Sequence, residues 1–309
     1  MQHTIKESEL VLNGDGSIYH LHLHPDQLAH NVILVGDPQR VELVSANFDR
    51  IDHVVRNREF ITHTGVFQGV PVSVLGTGIG TDNIDIVVNE LDALVNIDLE
   101  TRKVRDQLTS LRLIRLGTTG LLQADIPVGT AVASAWGVGL DSLLHFYRPE
   151  QGILDEGLMK MLKELVGQEM PALVPYAVKA SDGLMKGIAG DMQQGITLTA
   201  PGFYGPQGRE LRLKASDPDL PARIAQLRYE GHRVLNFEME TSALYGLGRM
   251  LGHQVLTVCL AVANRANGEF FPNYRAGMEE LALEVLQRLS ALLKVKDHGP
   301  GTKDQRIDD

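Results

Sequence analysis

The chain has 309 residues, 43% of them hydrophobic, with one cysteine and a formal charge of −10. This is ample for a sizeable core, and the acidic balance excludes general nucleic-acid affinity, which needs a basic face. A single cysteine excludes an internal disulfide, and with no long apolar run and a largely polar start the expectation is a cytoplasmic protein without a membrane span or signal peptide.

The first thirty residues are mostly polar apart from Ile18-Tyr-His-Leu-His-Leu-His24. If extended, this stretch puts His20, His22 and His24 on one face. No fourth ligand stands at a telling spacing, so the expectation is no metal, with one histidine serving a polar ligand. Residues 31–35 predict a short buried strand. Gly36-Asp-Pro-Gln-Arg40 follows, then a helix over 41–48 with Asp37 as its cap and Pro38 in its first turn. A glycine turn into a helix start suits an anion, with Arg40 nearby; a capped helix with a solvated arginine fits equally well.

Arg56-Asn-Arg-Glu-Phe60 leads into a strand, and residues 71–75 predict another, ending in Gly76-Thr-Gly-Ile-Gly80. Ile84, Val87, Val88, Leu91, Leu94 and Val95 then fall at helical spacing, with Asp82 and Asp85 placed as a capping pair. The dinucleotide fingerprint is not met, because Thr81 or Asn83 stands where its third glycine is required. Acids at the helix start would also repel a pyrophosphate.

Residues 97–110 are charged and read as a surface excursion. In Leu111-Arg-Leu-Ile-Arg-Leu-Gly-Thr-Thr-Gly120 the apolar run predicts a buried strand. The Gly-Thr-Thr-Gly predicts the loop at its carboxyl end, where ligands sit in open α/β sheets. Arg115 within that strand implies a negative partner, either an anion in a pocket or a nearby carboxylate, since an unpaired buried guanidinium is costly.

Residues 127–138 predict a strand pair, 154–165 an amphipathic helix, and 174–180 and 195–199 strands. Pro201-Gly-Phe-Tyr-Gly-Pro-Gln-Gly-Arg209 is a loop. Its Phe203, Gln207 and Arg209 can stack on and hydrogen-bond a planar polar ring; a surface loop with a tucked aromatic is the alternative. Leu235-Asn-Phe-Glu-Met-Glu240 runs into a helix, and its carboxylates suit sugar hydroxyls or, equally, the helix dipole. Residues 255–263, with Cys259, predict a buried strand followed by Asn264-Arg265, and a long helix closes the chain before a polar tail. The alternation predicts one three-layer α/β/α domain with a mixed central sheet over 18–295, an N-terminal extension over 1–17 and a tail over 296–309.

These pieces together resemble the nucleoside phosphorylase superfamily, whose members act on purine or uridine nucleosides, and within it the uridine phosphorylases. The resemblance spans residues 18–295. It rests on Gly36-Asp-Pro-Gln-Arg40, Arg58-Glu-Phe60, Thr77-Gly-Ile-Gly80, Arg115-Leu-Gly-Thr-Thr-Gly120, Phe203-Tyr-x-x-Gln-x-Arg209, Asn236-Phe-Glu-Met-Glu240 and Asn264-Arg265.

The resemblance implies a pentosyltransferase of nucleoside salvage. It would cleave uridine, or also deoxyuridine, with phosphate to give uracil and ribose 1-phosphate. Gly36, Arg40, Arg115 and Thr118 would form the phosphate site, with Arg58 lent by a neighbouring subunit. Met239 and Glu240 would hold the ribose, with His20 of the neighbour at its 5′-hydroxyl. Phe203, Gln207 and Arg209 would bind the base. The implied partners are nucleoside and orthophosphate, in a homo-oligomer that is a dimer at least and a hexamer by family habit. No cofactor is implied, orthophosphate being a co-substrate.

In relatives a glutamate equivalent to Glu59 and a serine help hold a monovalent cation between subunits. Here Asp82-Asn83 replaces the usual Pro-Ser pair, a departure from that pattern. Residues 97–110 form an insertion, and Gly205-Pro206 reverses the more common order. Purine phosphorolysis is the alternative activity. Purine members protonate the base with an aspartate, and an ungapped alignment of residues 257–264 puts Ala263 there. A nucleosidase, which uses water, and a non-catalytic nucleoside-binding protein are the other readings.

Overall fold

The computed structural model describes residues 4–167 and 170–297. Its strands are β1 (Asn31–Val35), β2 (Arg50–Asn57), β3 (Phe60–Phe67), β4 (Val70–Gly76), β5 (Ile97–Asp98), β6 (Lys103–Val104), β7 (Arg112–Leu121), β8 (Ala131–Gly139), β9 (Tyr176–Lys179), β10 (Gln193–Thr199), β11 (Arg228–Tyr229), β12 (His232–Glu238), β13 (Gln254–Asn264) and β14 (Glu269–Phe270). The helices are α1 (Gln39–Ser45), α2 (Thr81–Asn96), α3 (Glu156–Val166), α4 (Asp182–Ala189), α5 (Leu220–Ile224), α6 (Thr241–Met250) and α7 (Tyr274–Asp297).

The main sheet runs β11-β12-β10-β8-β13-β7-β1-β4-β3-β2. It is mixed, as expected: β4, β1, β7 and β13 are parallel, while β8 meets β13 antiparallel. The long apolar runs of β1, β7 and β13 have this cause, since each is covered on both faces and cannot alternate. Among the helices α7 packs against α1 and α4, α2 against α6, and α3 against α5.

The sheet also closes on itself in part. Asn236 and Phe237 of β12 pair with Leu121 and Gly120 of β7, making a ring of β7, β13, β8, β10 and β12. Leu121, Val132, Leu235, Cys259 and Ala261 from four of these strands pack together as a separate apolar cluster.

Several local expectations change. The Gly117-Thr-Thr-Gly120 stretch is not a loop but the second half of β7, because β13 and β12 both supply ladder partners there. Residues 127–138 give one strand, β8, since Gly129 takes a positive φ and turns the chain before Ala131. An unpredicted strand, β2, forms the sheet edge; its exposed positions mix Arg50, Asp52 and Arg56 with Ile51 and Val54, so no clean apolar–polar alternation marks it. The histidine segment is a turn with His22 at φ 55°, so its three histidines do not share a face. Gly80, at φ 102°, takes the α2 N-cap position with no side-chain cap, and Asp85 instead meets Tyr147 and Asn89.

Residues 97–110 form a small hairpin, β5 with β6, and tie down the segment before it. Ile5 donates to the Arg102 carbonyl at 2.8 Å, and Arg102 donates to the Leu10 carbonyl. The tail expected beyond Asp297 lies outside the described residues.

Candidate active site

A cavity of about 930 Å³ opens where β1, β4, β7, β12 and β13 end or bend. Gly36 and Arg40 reach it from the β1–α1 connection, and Arg115 and Thr118 from β7. Met239 and Glu240 come from the β12–α6 junction, and Phe203, Gln207 and Arg209 from the irregular loop after β10. Ala263 of β13 and Glu59 also line it. His20 and Arg58 do not: Arg58 is exposed at the β2–β3 turn, where its guanidinium lies over the Tyr19 ring, and His20 sits in the adjoining turn.

Arg115 is almost fully buried and sits between two buried carboxylates. Its Nη1 lies 3.3 Å from Glu238 Oε2, and its Nη2 donates to Glu240 Oε2. The carboxylate partner expected for this arginine is therefore present, and the guanidinium also lines the cavity. Nη1 further approaches Cys259 Sγ at 3.5 Å, and Nε has no hydrogen-bond partner among the described residues. Gly117 makes this placement possible, because a Cβ there would come within 2.2 Å of Arg115 Nη1.

Burial alone would lower the Arg115 pKa, but Glu240 and then Glu238 more than offset it, so the guanidinium is held firmly charged. For Glu240 burial is the larger influence and raises its pKa, with Arg115 opposing and Glu238 adding to the rise. One arginine thus serves two acids, and Glu240 is the one left short of positive charge. Burial pushes the Cys259 thiol up to about 12, so it is inert packing beside Arg115.

Glu238 is held from behind. Thr199 Oγ1 donates to its Oε1 at 2.6 Å, and the main-chain N–H groups of Glu240 and Thr241 donate to its Oε2 at 2.9 Å. Glu240 accepts from the Gly80 N–H at 2.8 Å, which links the glycine turn after β4 to the start of α6. Burial lowers the Arg40 pKa, with Asp37 opposing.

At the other end, the Arg209 guanidinium stacks on the Phe203 ring at 3.9 Å and donates to the Phe203 carbonyl at 2.6 Å. It also donates to Gln207 Oε1, while Gln207 Nε2 donates to the Gly202 carbonyl at 3.3 Å. The three residues expected at the base are therefore one connected group.

The sequence did not connect Glu238 with Arg115, and it gave Arg265 no individual role. Glu238 was visible as half of Glu-Met-Glu, but its service to Arg115 depends on the ring closure. Arg265 lies over Phe237 at 5.7 Å, its buried Nη1 without a hydrogen-bond partner among the described residues. Burial and then Arg209 push its pKa down to about 10. The Arg209 and Arg265 side chains both approach Gly120, close enough for their charges to oppose one another.

The sequence profile of the Phosphorylase superfamily matches residues 31–293. The chain belongs to that superfamily. It is 31% identical over 279 residues to the uridine phosphorylase of Thermococcus kodakarensis, covering 90% of this chain and 87% of the relative. It is 29% identical over 256 residues to that of Treponema pallidum, covering 80% and 82%. Its fold matches the Trypanosoma brucei nucleoside phosphorylase, described as showing uridine phosphorylase activity, with a TM-score of 0.81, 29% identity, and coverage of 91% of this chain and 99% of that one. Among the described residues no helix is long and apolar enough to cross a membrane.

Proposed function

We propose that this enzyme cleaves uridine by phosphorolysis in the cytoplasm, giving uracil and ribose 1-phosphate. Orthophosphate is the nucleophile, so no side chain forms a covalent intermediate. Arg40, Arg115, Thr118 and the Gly36 turn hold the phosphate, joined by Arg58 from a neighbouring subunit. An oxygen of the phosphate bonds to C1′ as the C1′–N1 bond breaks, and the bonding pair leaves with uracil. Gln207 and Arg209 stand where that charge collects on the base oxygens, which stabilises the transition state more than the ground state. Glu240 accepts from the ribose hydroxyls, and its charge favours a cationic sugar; Met239 packs beside it. His20 of the neighbour meets the 5′-hydroxyl.

The observation that carries the pyrimidine choice is the wall formed by Phe203, Gln207, Arg209 and Ala263 on one cavity. An arginine favours a departing uracilate, whereas a purine needs a proton on N7 that Ala263 cannot supply. No resident cofactor enters this reading. A monovalent cation near Glu59 is not part of it, because the hydroxyl that would help hold one is replaced by the Asn83 amide, whose nitrogen packs against Gly78.

The test is initial-rate kinetics on uridine and inosine with Gln207→Ala and Arg209→Ala. Each substitution should slow uridine cleavage by about 10–10²-fold, the weight of a lost charge-assisted contact, without speeding inosine. A uridine rate within twofold of wild type in both would remove these residues from the base site.

A further inference from the structure

One carboxylate outside the cavity has an unusually specific set of partners. Glu90 lies on α2, which is anchored by Ile84, Val87, Val88, Leu91 and Leu94 in the core, so its position is fixed by packing. The turn containing His20 wraps around this carboxylate. The His20 N–H donates to both of its oxygens at 3.0 Å, and the Leu21 N–H donates to Oε2 at 2.8 Å. His20 Nδ1 lies 2.6 Å from Glu90 Oε1. A carboxylate can only accept, so Nδ1 carries the hydrogen.

The remaining ring nitrogen, Nε2, has no hydrogen-bond partner among the described residues. The groups around the ring leave it free. Tyr19 meets the imidazole edge-on at 4.7 Å, and Asn57 Nδ2 donates to the His20 carbonyl at 2.8 Å rather than to the ring. Arg58 is engaged with Tyr19. His20 and Arg58 thus hang on one small platform, outside the cavity of their own subunit.

We propose that Glu90 is a positioning residue: by accepting from Nδ1 of His20 and from two main-chain N–H groups of its turn, it fixes the imidazole in the Nδ1–H tautomer and presents Nε2 as the acceptor for the nucleoside 5′-hydroxyl in the neighbouring subunit's pocket. This rests on the assignment of His20 to that hydroxyl. It adds that the tautomer and aim of the ring are set by a helix residue seventy positions away in the chain. A glutamine at 90 keeps one oxygen for the main-chain donors. Its NH₂ can face the ring only as a donor, which turns Nδ1 into an acceptor and moves the hydrogen to Nε2.

The experiment compares uridine with 5′-deoxyuridine, which lacks the hydroxyl, in full-length wild type, His20→Ala and Glu90→Gln. The wild type should prefer uridine in kcat/KM by about tenfold, the weight of one hydrogen bond to a site that requires it. Both variants should compress that preference towards one, losing more kcat/KM on uridine than on 5′-deoxyuridine. Compression in His20→Ala but not in Glu90→Gln overturns the role of Glu90 while leaving His20 in place. No compression in either overturns both. Equal losses on the two substrates in Glu90→Gln make it a support for the turn only, and also overturn the proposal. Should Glu90→Gln fail to fold, ring-nitrogen NMR of the wild type still decides: hydrogen on Nδ1 of His20 supports the assignment, and hydrogen on Nε2 alone contradicts it.

Discussion

Arg115 carries the heaviest electrostatic duty in the molecule, because two buried carboxylates depend on its one charge. Removing one member of a buried ion pair leaves uncompensated charge, so Arg115→Ala should lower stability by about 3–5 kcal/mol in urea unfolding. In protein that remains folded, kcat/KM for phosphate should fall by about 10–10²-fold. Unchanged phosphate dependence would take Arg115 out of the phosphate site. Arg265 should behave in the opposite sense. Its folded pKa is depressed, so the stability linked to it is present only at strongly alkaline pH and is lost as pH falls through about 10. At neutral pH the charged group is a cost, and Arg265→Gln should raise the melting temperature while slowing uridine cleavage. A lower melting temperature in that variant contradicts the argument. The cationic anchors were legible in sequence because each sits in a short contiguous motif. Which acids hold Arg115 was not, since Glu240 lies 125 residues away and only the folded sheet brings it there.

Elements were legible where one pattern dominated. The apolar strands β1, β7 and β13 and the helices α2, α3, α6 and α7 announce themselves by period and length. The reading failed where tertiary pairing overrides local chemistry: the glycines and threonines of residues 117–120 look like a loop but are paired on both sides within a ring. The loop after β10 is likewise not free. Buried Asp217 takes a two-pronged contact from Arg223 of α5, with Nη1 at 2.9 Å from Oδ1, and this fastens the end of the loop that carries Gln207 and Arg209. The bond from Arg223 holds the Asp217 carboxyl below the usual range. A depressed carboxylate adds stability above its unfolded pKa of about 4 and loses it as pH falls through the folded value. Asp217→Asn should therefore flatten the acid limb of the stability–pH curve. It should also raise KM for uridine while leaving KM for phosphate within about twofold, as befits a change confined to one end of the cavity. Parallel rises in both constants would show that the loop is not what Asp217 fastens.

At the scale of the whole molecule, the cavity of one chain holds the residues assigned to the base and most of those assigned to ribose and phosphate, while His20 and Arg58 do not line it. A subunit-sharing assembly makes a sharp prediction. Arg58→Ala and Arg209→Ala should each be nearly inactive alone. Co-expressed, they form mixed dimers in which one pocket combines an intact Arg209 with an intact lent Arg58, so random pairing returns about a quarter of wild-type activity. No recovery on mixing would place Arg58 in its own subunit's site. The central claim, phosphate-dependent cleavage of uridine, is tested most directly by initial rates on uridine and inosine at saturating phosphate and with phosphate omitted. The kcat/KM for uridine should exceed that for inosine by at least about 10²-fold, with no uracil released when phosphate is omitted. Comparable efficiency on inosine, or base release that persists without phosphate, would contradict it.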